Sequence, residues 1–238
     1  MKKSLALIIA IVLAGCAIRL GGPKPVEYRT MAFNVGSGAG AAEVAGWIRR
    51  ADANLVLLAA AADSAWFGEV ARRTELTLSG PGTAGSVSFA FLAGNPLGDT
   101  TVVLPLPGGG GVGVHDALYE VDDDRYLDLL AVEIPSAAQS RDAIKALLEY
   151  VATDVMPDAA VVLAIDVPDA ATGDSISALL SPAFGDARSC LDEGARETDD
   201  AAWGMRLFFG PEAKLRCEEA RPLGEQGPLM ARLILTRF

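Results

Sequence analysis

Runs of small and branched apolar residues alternate with amphipathic segments along most of the chain. The run Val161 to Ile165, which ends abruptly at Asp166, is typical of a strand that is buried on both faces. Segments with apolar residues three and four positions apart, such as Arg141 to Thr153, predict helices packed on a core. The predicted strands span residues 28–35, 54–60, 86–93, 101–106, 117–121, 125–134, 161–166, 205–209, 215–218 and 229–236, and the predicted helices span 41–50, 64–74, 141–153 and 175–180.

The order of these elements predicts the fold class. Strands and helices alternate early, strands cluster in the middle of the chain, and the same mixture then recurs. Two halves of this kind bury their apolar faces best by packing sheet against sheet. We therefore expect an α/β fold, a four-layer αββα sandwich of two packed mixed β-sheets with helices outside.

A glycine run, Gly108 to Gly111, interrupts the central strands. It lacks the Lys-Ser/Thr pair of a phosphate-binding loop and does not open a helix, so we interpret it as a hairpin loop. The single histidine, His115, falls in the same predicted loop, residues 107–116. No partner motif surrounds it, which makes it a poor candidate for a general base.

The first sixteen residues, MKKSLALIIAIVLAGC, have the organisation of a bacterial secretory signal. The apolar stretch from Leu5 to Leu13 is too short for a stable membrane span. The tail Leu13-Ala14-Gly15-Cys16 resembles a lipobox, which implies cleavage before Cys16 and lipid on that cysteine. The alternative is an ordinary secretory signal with Cys16 as a spare thiol. The predicted organisation is a signal peptide over residues 1–15, a lipidated cysteine and tether over 16–27, and one domain over 28–238.

This reading places the protein on a membrane of the bacterial cell envelope, facing the periplasm or the exterior. The formal net charge of the whole chain is −11, and loss of Lys2 and Lys3 with the signal leaves about −13. Such an acidic surface repels phosphate backbones and argues against a nucleic-acid partner. The expected partners are the membrane, through the lipid on Cys16, and an unidentified protein or small ligand.

Two further cysteines, Cys190 and Cys217, form a candidate disulfide in an oxidising compartment. Both lie in polar surroundings, SCLDE and LRCEE, which favours a bridge over two buried free thiols. The bridge would close a loop of about 28 residues and stabilise the fold by about 3–4 kcal/mol in the chain-entropy model. No Cys/His spacing of a zinc site is present in the sequence.

Seven segments, in chain order, resemble the motifs of the endonuclease/exonuclease/phosphatase superfamily. They are RTMAFNVGSG, WIRRADANLVLLAAAAD, VSFAFLAGNPL, YLDLLAVEIPS, VVLAIDVPDA, GMRLFFGPEAKLRC and GEQGPLMARLIL. The resemblance covers residues 28–238 and implies a metal-dependent phosphoesterase site. In that site, a divalent cation is held mainly by a Glu that ends the second strand, and a His–Asp pair acts on the nucleophilic water.

Most of the residues that this chemistry needs are replaced here. The resemblance places the metal-ligating Glu at Ala60, the His of the fourth motif at Glu133, the Asn of Gly-Asp-Phe-Asn at Pro168, the Asp of the next motif at Arg206, and the closing Ser-Asp-His at Gly224-Glu225-Gln226. The amide of Gln226 cannot take a proton as a histidine base would. Only Asn34 and Asp166 survive, with Asp166 either a remnant of the catalytic acid or a turn-capping residue.

Two hypotheses follow from this pattern. The first is a lipid-anchored, non-catalytic binding or structural module that needs no cofactor, in which Arg206 compensates Asp166 or Glu225 in place of a metal. The second is an active phosphoesterase or nuclease that has rebuilt an acidic site from Glu133, Asp166 and Glu225, with Mg²⁺ or Mn²⁺ required only in this case. A third reading, an α/β lipoprotein unrelated to the family, requires that the two sheets not pack face to face.

Overall fold

Two β-sheets pack face to face, and α-helices cover their outer faces. A computed structural model describes residues 24–35, 38–83, 85–94, 96–122, 125–134, 136–191, 205–223 and 228–236. Over these residues the chain forms two six-stranded sheets and four α-helices. The four-layer αββα sandwich expected from the sequence is confirmed, and the reading that required unpacked sheets is wrong.

The strands and helices are numbered here in chain order within the described residues. The strands are β1 Val26–Asn34, β2 Leu55–Ala60, β3 Thr77–Thr83, β4 Ser88–Ala93, β5 Pro96–Pro105, β6 Gly111–Asp122, β7 Arg125–Glu133, β8 Ala159–Asp166, β9 Gly185–Asp186, β10 Met205–Gly210, β11 Leu215–Pro222 and β12 Leu229–Leu235. The helices are α1 Ala41–Ala51, α2 Ser64–Thr74, α3 Ser140–Thr153 and α4 Ala170–Leu180.

Each sheet is mixed and contains one parallel pair at its centre. The first sheet has the order β11-β12-β1-β2-β4-β3, and the second has the order β5-β6-β7-β8-β10-β9. Strands β1 and β2 are parallel, as are β7 and β8, and each parallel pair is joined by a crossover helix, α1 or α3. Because parallel strands end at the same edge, the carboxyl ends of these four strands meet at one end of the sandwich.

Alternation along the central strands builds three layers of core. In β8, Val162 and Ala164 face the other sheet, whereas Leu163 and Ile165 face the outer helices. All of β8 except its last residue is buried, which explains why its sequence is a continuous apolar run. None of the helices described is both long enough and apolar enough to cross a membrane.

Several predicted boundaries were wrong in the middle of the chain. Strand β3 was not predicted, β5 begins five residues earlier than predicted, and β6 extends six residues into the segment expected to be a loop. The hairpin loop between them is confirmed but is confined to residues 106–110. His115 therefore lies in strand β6 and not in the glycine-rich loop. Helix α4 begins at Ala170, five residues earlier than predicted, because Asp169 caps it through the backbone N–H of Thr172.

Candidate functional site

The carboxyl ends of the four parallel strands define the candidate site, which we call the mouth. It comprises Asn34 at the end of β1, Ala60 at the end of β2, Glu133 at the end of β7 and Asp166 at the end of β8. Glu133 and Asp166 are direct neighbours in the parallel register of the second sheet. The structure thus brings Asn34, Glu133 and Asp166, which the sequence analysis singled out, to one edge of the sandwich.

Asn34 and Asp166 bind each other across the sandwich. The amide Nδ2 of Asn34 donates to Oδ2 of Asp166 over 2.9 Å, linking the first sheet to the second. Burial raises the pKa of Asp166 to about 6, the Asn34 hydrogen bond opposes this rise, and the charge of Glu133 adds to it. The N-cap of helix α4 is Asp169.

Glu133 also bridges the two sheets, and a loop of the first sheet holds both of its carboxylate oxygens. Oε1 accepts the hydroxyl of Ser86 over 2.5 Å, and Oε2 accepts the backbone N–H of Ser86 over 2.5 Å. The preceding Gly85 has φ +109°, and a Cβ there would collide with Oε2 of Glu133. Glycine is therefore required at this position both by the backbone conformation and by the approach of the carboxylate.

The end of β2 offers no ligand to a cation. Ala60 is buried and pairs with Ser88 of β4, so the side chain at this strand end is a methyl group. Within the described ranges, no group of three or more His, Cys, Asp or Glu side chains has an arrangement that could hold a metal ion. A divalent cation needs several oxygen ligands, and the described part of the mouth does not fit one.

Arg206 lies on the face of the second sheet opposite to Asp166. Its neighbours Met205 and Leu207 face the other sheet, so Arg206 points toward helix α4. There its Nη2 donates to Oδ1 of Asp174 over 3.0 Å and to the carbonyl of Ala170 over 3.1 Å. The expected pairing of Arg206 with Asp166 is therefore wrong, because strand alternation separates the two side chains.

Arg206 is instead a structural cation under a helix. It is 4% exposed, and its Nη1 lies 3.9 Å from Oδ2 of Asp186. Helix α4 approaches the guanidinium so closely that a Cβ at Gly173 would collide with it. Pro168 is exposed in the turn that precedes the helix.

His115 is part of the core between the sheets and not of the mouth. It is 1% exposed, and its ring stacks on Phe91 at a centroid distance of 4.8 Å. Its Nδ1 lies 3.0 Å from the carbonyl of Thr100 and 3.1 Å from the hydroxyl of Thr101. Burial lowers its pKa, so the imidazole is neutral and held by packing.

Three of the predicted site residues lie outside the described residues: Cys16, Glu225 and Gln226. The convergence of Glu225 with Glu133 and Asp166 therefore stays a prediction. Cys190 and Cys217 are joined through their Sγ atoms, with Cα atoms 6.3 Å apart, which lies within the usual span of a disulfide.

Sequence reasoning missed two polar residues that the structure makes prominent. Ser86 holds Glu133, but nothing local to its sequence indicates that partner. Asp128 is 3% exposed in the middle of β7, and its Oδ1 has no hydrogen-bond partner. The signal for Asp128 was available, because an acid within the apolar segment YLDLLAVE is rarely buried without a reason.

Comparison with solved structures places the fold among endonuclease/exonuclease/phosphatase proteins. A family protein from Bacteroides thetaiotaomicron has a TM-score of 0.70 at 9% identity, covering 90% of this chain and all of that one. The human Nocturnin catalytic domain with bound sulfate gives 0.64 at 11% identity, covering 90% of this chain and 97% of that one. Truncated Caenorhabditis elegans TDP2 gives 0.61 at 13% identity, covering 88% and 98%.

These likenesses show the fold and nothing finer. No protein-family model matches the chain, and no curated protein matches its sequence. The class defined by the fold is therefore the endonuclease/exonuclease/phosphatase-like sandwich, and the role of this particular chain has to be argued from its own residues.

Proposed function

We propose that this chain is a non-catalytic binding or structural module built on the endonuclease/exonuclease/phosphatase fold. The observation that carries the proposal is that both carboxyl groups described at the mouth are held by hydrogen-bond donors of the protein. Asn34 is bonded to Asp166, and both oxygens of Glu133 are bonded to Ser86. A general base or a metal ligand must instead present a free lone pair to water, cation or substrate.

The loss of the family's catalytic residues supports the same proposal. Ala60 supplies no carboxylate, Gln226 supplies no base, and Arg206 faces away from the mouth. Losing one positioned acid–base group typically lowers a rate by a factor of about 10²–10⁴. Losses within one catalytic unit do not multiply, but a site without metal ligand and base retains little above background.

The test is a hydrolysis assay on the purified protein. Bis-p-nitrophenyl phosphate, p-nitrophenyl phosphate, DNA and RNA are incubated with Mg²⁺ or Mn²⁺. Wild type, Asp166→Ala and Asp158→Ala are compared, because Asp158 is an exposed acid just before the opposite end of the same strand. We expect no metal-dependent turnover above background from any of the three. Turnover that Asp166→Ala abolishes and Asp158→Ala preserves would overturn the proposal.

The alternative is an active metal-dependent phosphoesterase or nuclease with a site rebuilt on Glu133, Asp166 and Glu225. One observation favours it: Asp166 has a pKa of about 6 beside Glu133, which suits a group that exchanges a proton near neutral pH. This alternative predicts Mn²⁺ binding that Glu225→Ala weakens. Water-proton relaxation of Mn²⁺ measures this directly, without relying on activity.

We also propose that lipid on Cys16 anchors the module to a membrane of the bacterial cell envelope. The basis is the sequence Leu13-Ala14-Gly15-Cys16 behind a short apolar segment. Cys16→Ser should leave an uncleaved or mislocalised precursor in cell fractionation. Normal processing and unchanged membrane partitioning of that variant would refute the anchor.

The proposed bridge between Cys190 and Cys217 fits the same compartment, because disulfides persist outside the cytosol. Non-reducing peptide mapping after alkylation should recover the cross-linked pair. Alkylated thiols at both positions in protein taken from the envelope would contradict both the bridge and the oxidising location.

A further inference from the structure

A groove of about 650 Å³ lies on the outer face of the second sheet, away from the mouth. It opens between the start of β5, the middle of β6 and β7, and the C-terminal end of α3. Asp128 in this groove is five residues before Glu133 on β7, about 16 Å along the strand, and on the opposite face. The groove is therefore a separate site from the one that the fold family uses.

The floor of the groove is acidic. Asp116 and Asp128 both line the groove, where Asp116 raises the pKa of Asp128, and the hydroxyl of Tyr150 donates to Oδ2 of Asp116 over 2.5 Å. Two more carboxylates, those of Asp99 and Asp154, line the groove. The groove thus receives hydrogen-bond acceptors from four elements, which are β5, β6, β7 and helix α3 with its C-cap.

One acceptor in this floor is buried and unused. Asp128 is 97% buried, since only 3% of it is exposed, and its Oδ1 has no hydrogen-bond partner. An unpaired buried polar atom is costly and rare in native proteins. A donor that enters the groove would satisfy this atom, so the atom indicates where a ligand's N–H belongs.

The walls of the groove are apolar. Leu97 is 56% exposed and Met156 is 37% exposed, and both line the opening together with Leu118 and Pro157. Large exposed apolar side chains that line a concave surface commonly mark a binding site. A small inorganic cation has no use for these walls, whereas an amine on a hydrocarbon stem contacts both the walls and the floor.

We propose that this groove binds a small organic cation, a primary ammonium carried on an apolar stem. The ammonium donates to Oδ1 of Asp128 and interacts with the carboxylate of Asp116, while the stem lies against Leu97 and Met156. The strongly acidic character of the chain favours the approach of such a cation.

The test measures binding of hexylammonium to the purified full chain by isothermal titration calorimetry. Methylammonium removes the stem, and hexanol removes the charge. We expect both to bind at least about tenfold more weakly than hexylammonium, because methylammonium cannot contact the apolar walls and hexanol carries no charge for the acidic floor. Equal binding of hexanol would show an apolar groove without cation recognition and would overturn the proposal.

Three variants assign the binding to this groove. Asp128→Leu removes the acceptor oxygen at similar side-chain volume and should weaken hexylammonium binding at least about tenfold, and Leu97→Ser should weaken it several-fold. Val103→Ser is the matched control, because Val103 is a 71% exposed apolar residue on the same strand but outside the groove. Leu97 is exposed, so Leu97→Ser remains informative even where Asp128→Leu fails to fold.

Two further results would contradict the proposal. Unchanged binding in folded Asp128→Leu or in Leu97→Ser would place the ligand elsewhere. Stoichiometric displacement of hexylammonium by Mg²⁺ or Ca²⁺, with no effect of Leu97→Ser, would show an inorganic cation site instead. None of these outcomes depends on whether the mouth is catalytic, so failure here leaves the proposed function untouched.

Discussion

The free energy of unfolding of Asp128→Asn, relative to that of the wild type, should increase as the pH rises from 5 to 7. Burial, together with the hydrogen bond and charge of Asp116, raises the pKa of Asp128 from an ordinary 3.8 to about 9. Between these two values the unfolded chain has lost this proton and the folded protein retains it. Unfolding then releases a proton, so the wild-type stability contributed by this group falls as the pH rises.

The size of this pH dependence is set by the one proton that unfolding releases. A difference of one bound proton changes the free energy of unfolding by about 1.4 kcal/mol per pH unit. Both pH 5 and pH 7 lie between 3.8 and about 9, so the full slope applies across the interval. The wild type should therefore lose up to about 3 kcal/mol relative to Asp128→Asn over these two pH units. Titrating groups outside the Asp116–Asp128 pair are common to both proteins and cancel in the difference.

Urea denaturation followed by circular dichroism at pH 5, 6 and 7 measures this difference. Asp158→Asn is the control, since that side chain is 91% exposed and its substitution should give a difference that does not change with pH. Asp116→Asn should keep a slope over a narrower pH range, because burial of Asp128, the largest cause, remains. A pH-independent difference between wild type and Asp128→Asn would refute a protonated, buried Asp128.

Two further predictions concern the mouth. Asn34→Ala should raise the pKa of Asp166 above about 6, because it removes a hydrogen bond to the carboxylate, and Glu133→Gln should lower that pKa, because it removes a like charge. Carboxyl ¹³C NMR titration of Asp166 measures both changes. Shifts of the Asp166 pKa in the same direction in the two variants would contradict the geometry. Gly85→Ala should destabilise the fold more than Gly109→Ala, by about 1 kcal/mol or more. Both glycines have positive φ, but only at Gly85 would the new Cβ strike Glu133; equal losses in thermal denaturation would exclude that contact.

The sequence predicted the central strands well because they are buried on both sides. Strand β8 was expected at residues 161–166 and spans Ala159–Asp166, since a run of apolar residues has few other stable environments. Its parallel pairing with β7 then follows from the crossover helix α3. The neighbouring carboxylates of Glu133 and Asp166 at the mouth are a direct consequence of this pairing.

The edge strands could not be predicted in the same way. Strand β3 has the sequence TLSGPGT, in which Gly80 and Pro81 give a turn signal, and most of its residues are half-exposed. Strand β5 is largely exposed along its length, so no face of it is marked by an apolar stripe. These strands form because they pair with neighbouring strands, and such pairing cannot be predicted from their own sequences.

The sequence analysis identified residues of the mouth but could not predict their hydrogen-bond partners. Asn34 and Asp166 are 132 positions apart, and the motif resemblance assigned them separate roles. Ser86 and Glu133 are 47 positions apart and lie on different sheets. Arg206 was assigned to the mouth from its order along the chain, yet the two-residue repeat of strand β10 turns it toward α4.

The contrast between the mouth and the groove bears on where this molecule acts. At the mouth, Asn34 is bonded to Asp166 and Glu133 is bonded to Ser86, so each carboxyl group is held by a donor of the other sheet. In the groove, Asp128 is kept buried with an unpaired oxygen, at a cost in stability that increases through neutral pH. A residue that destabilises the fold is retained most readily where binding needs it. Asp128→Leu, which removes the buried acceptor, should therefore produce a more stable protein that no longer binds an alkylammonium, and a variant that gains stability without losing binding would break the link between the two.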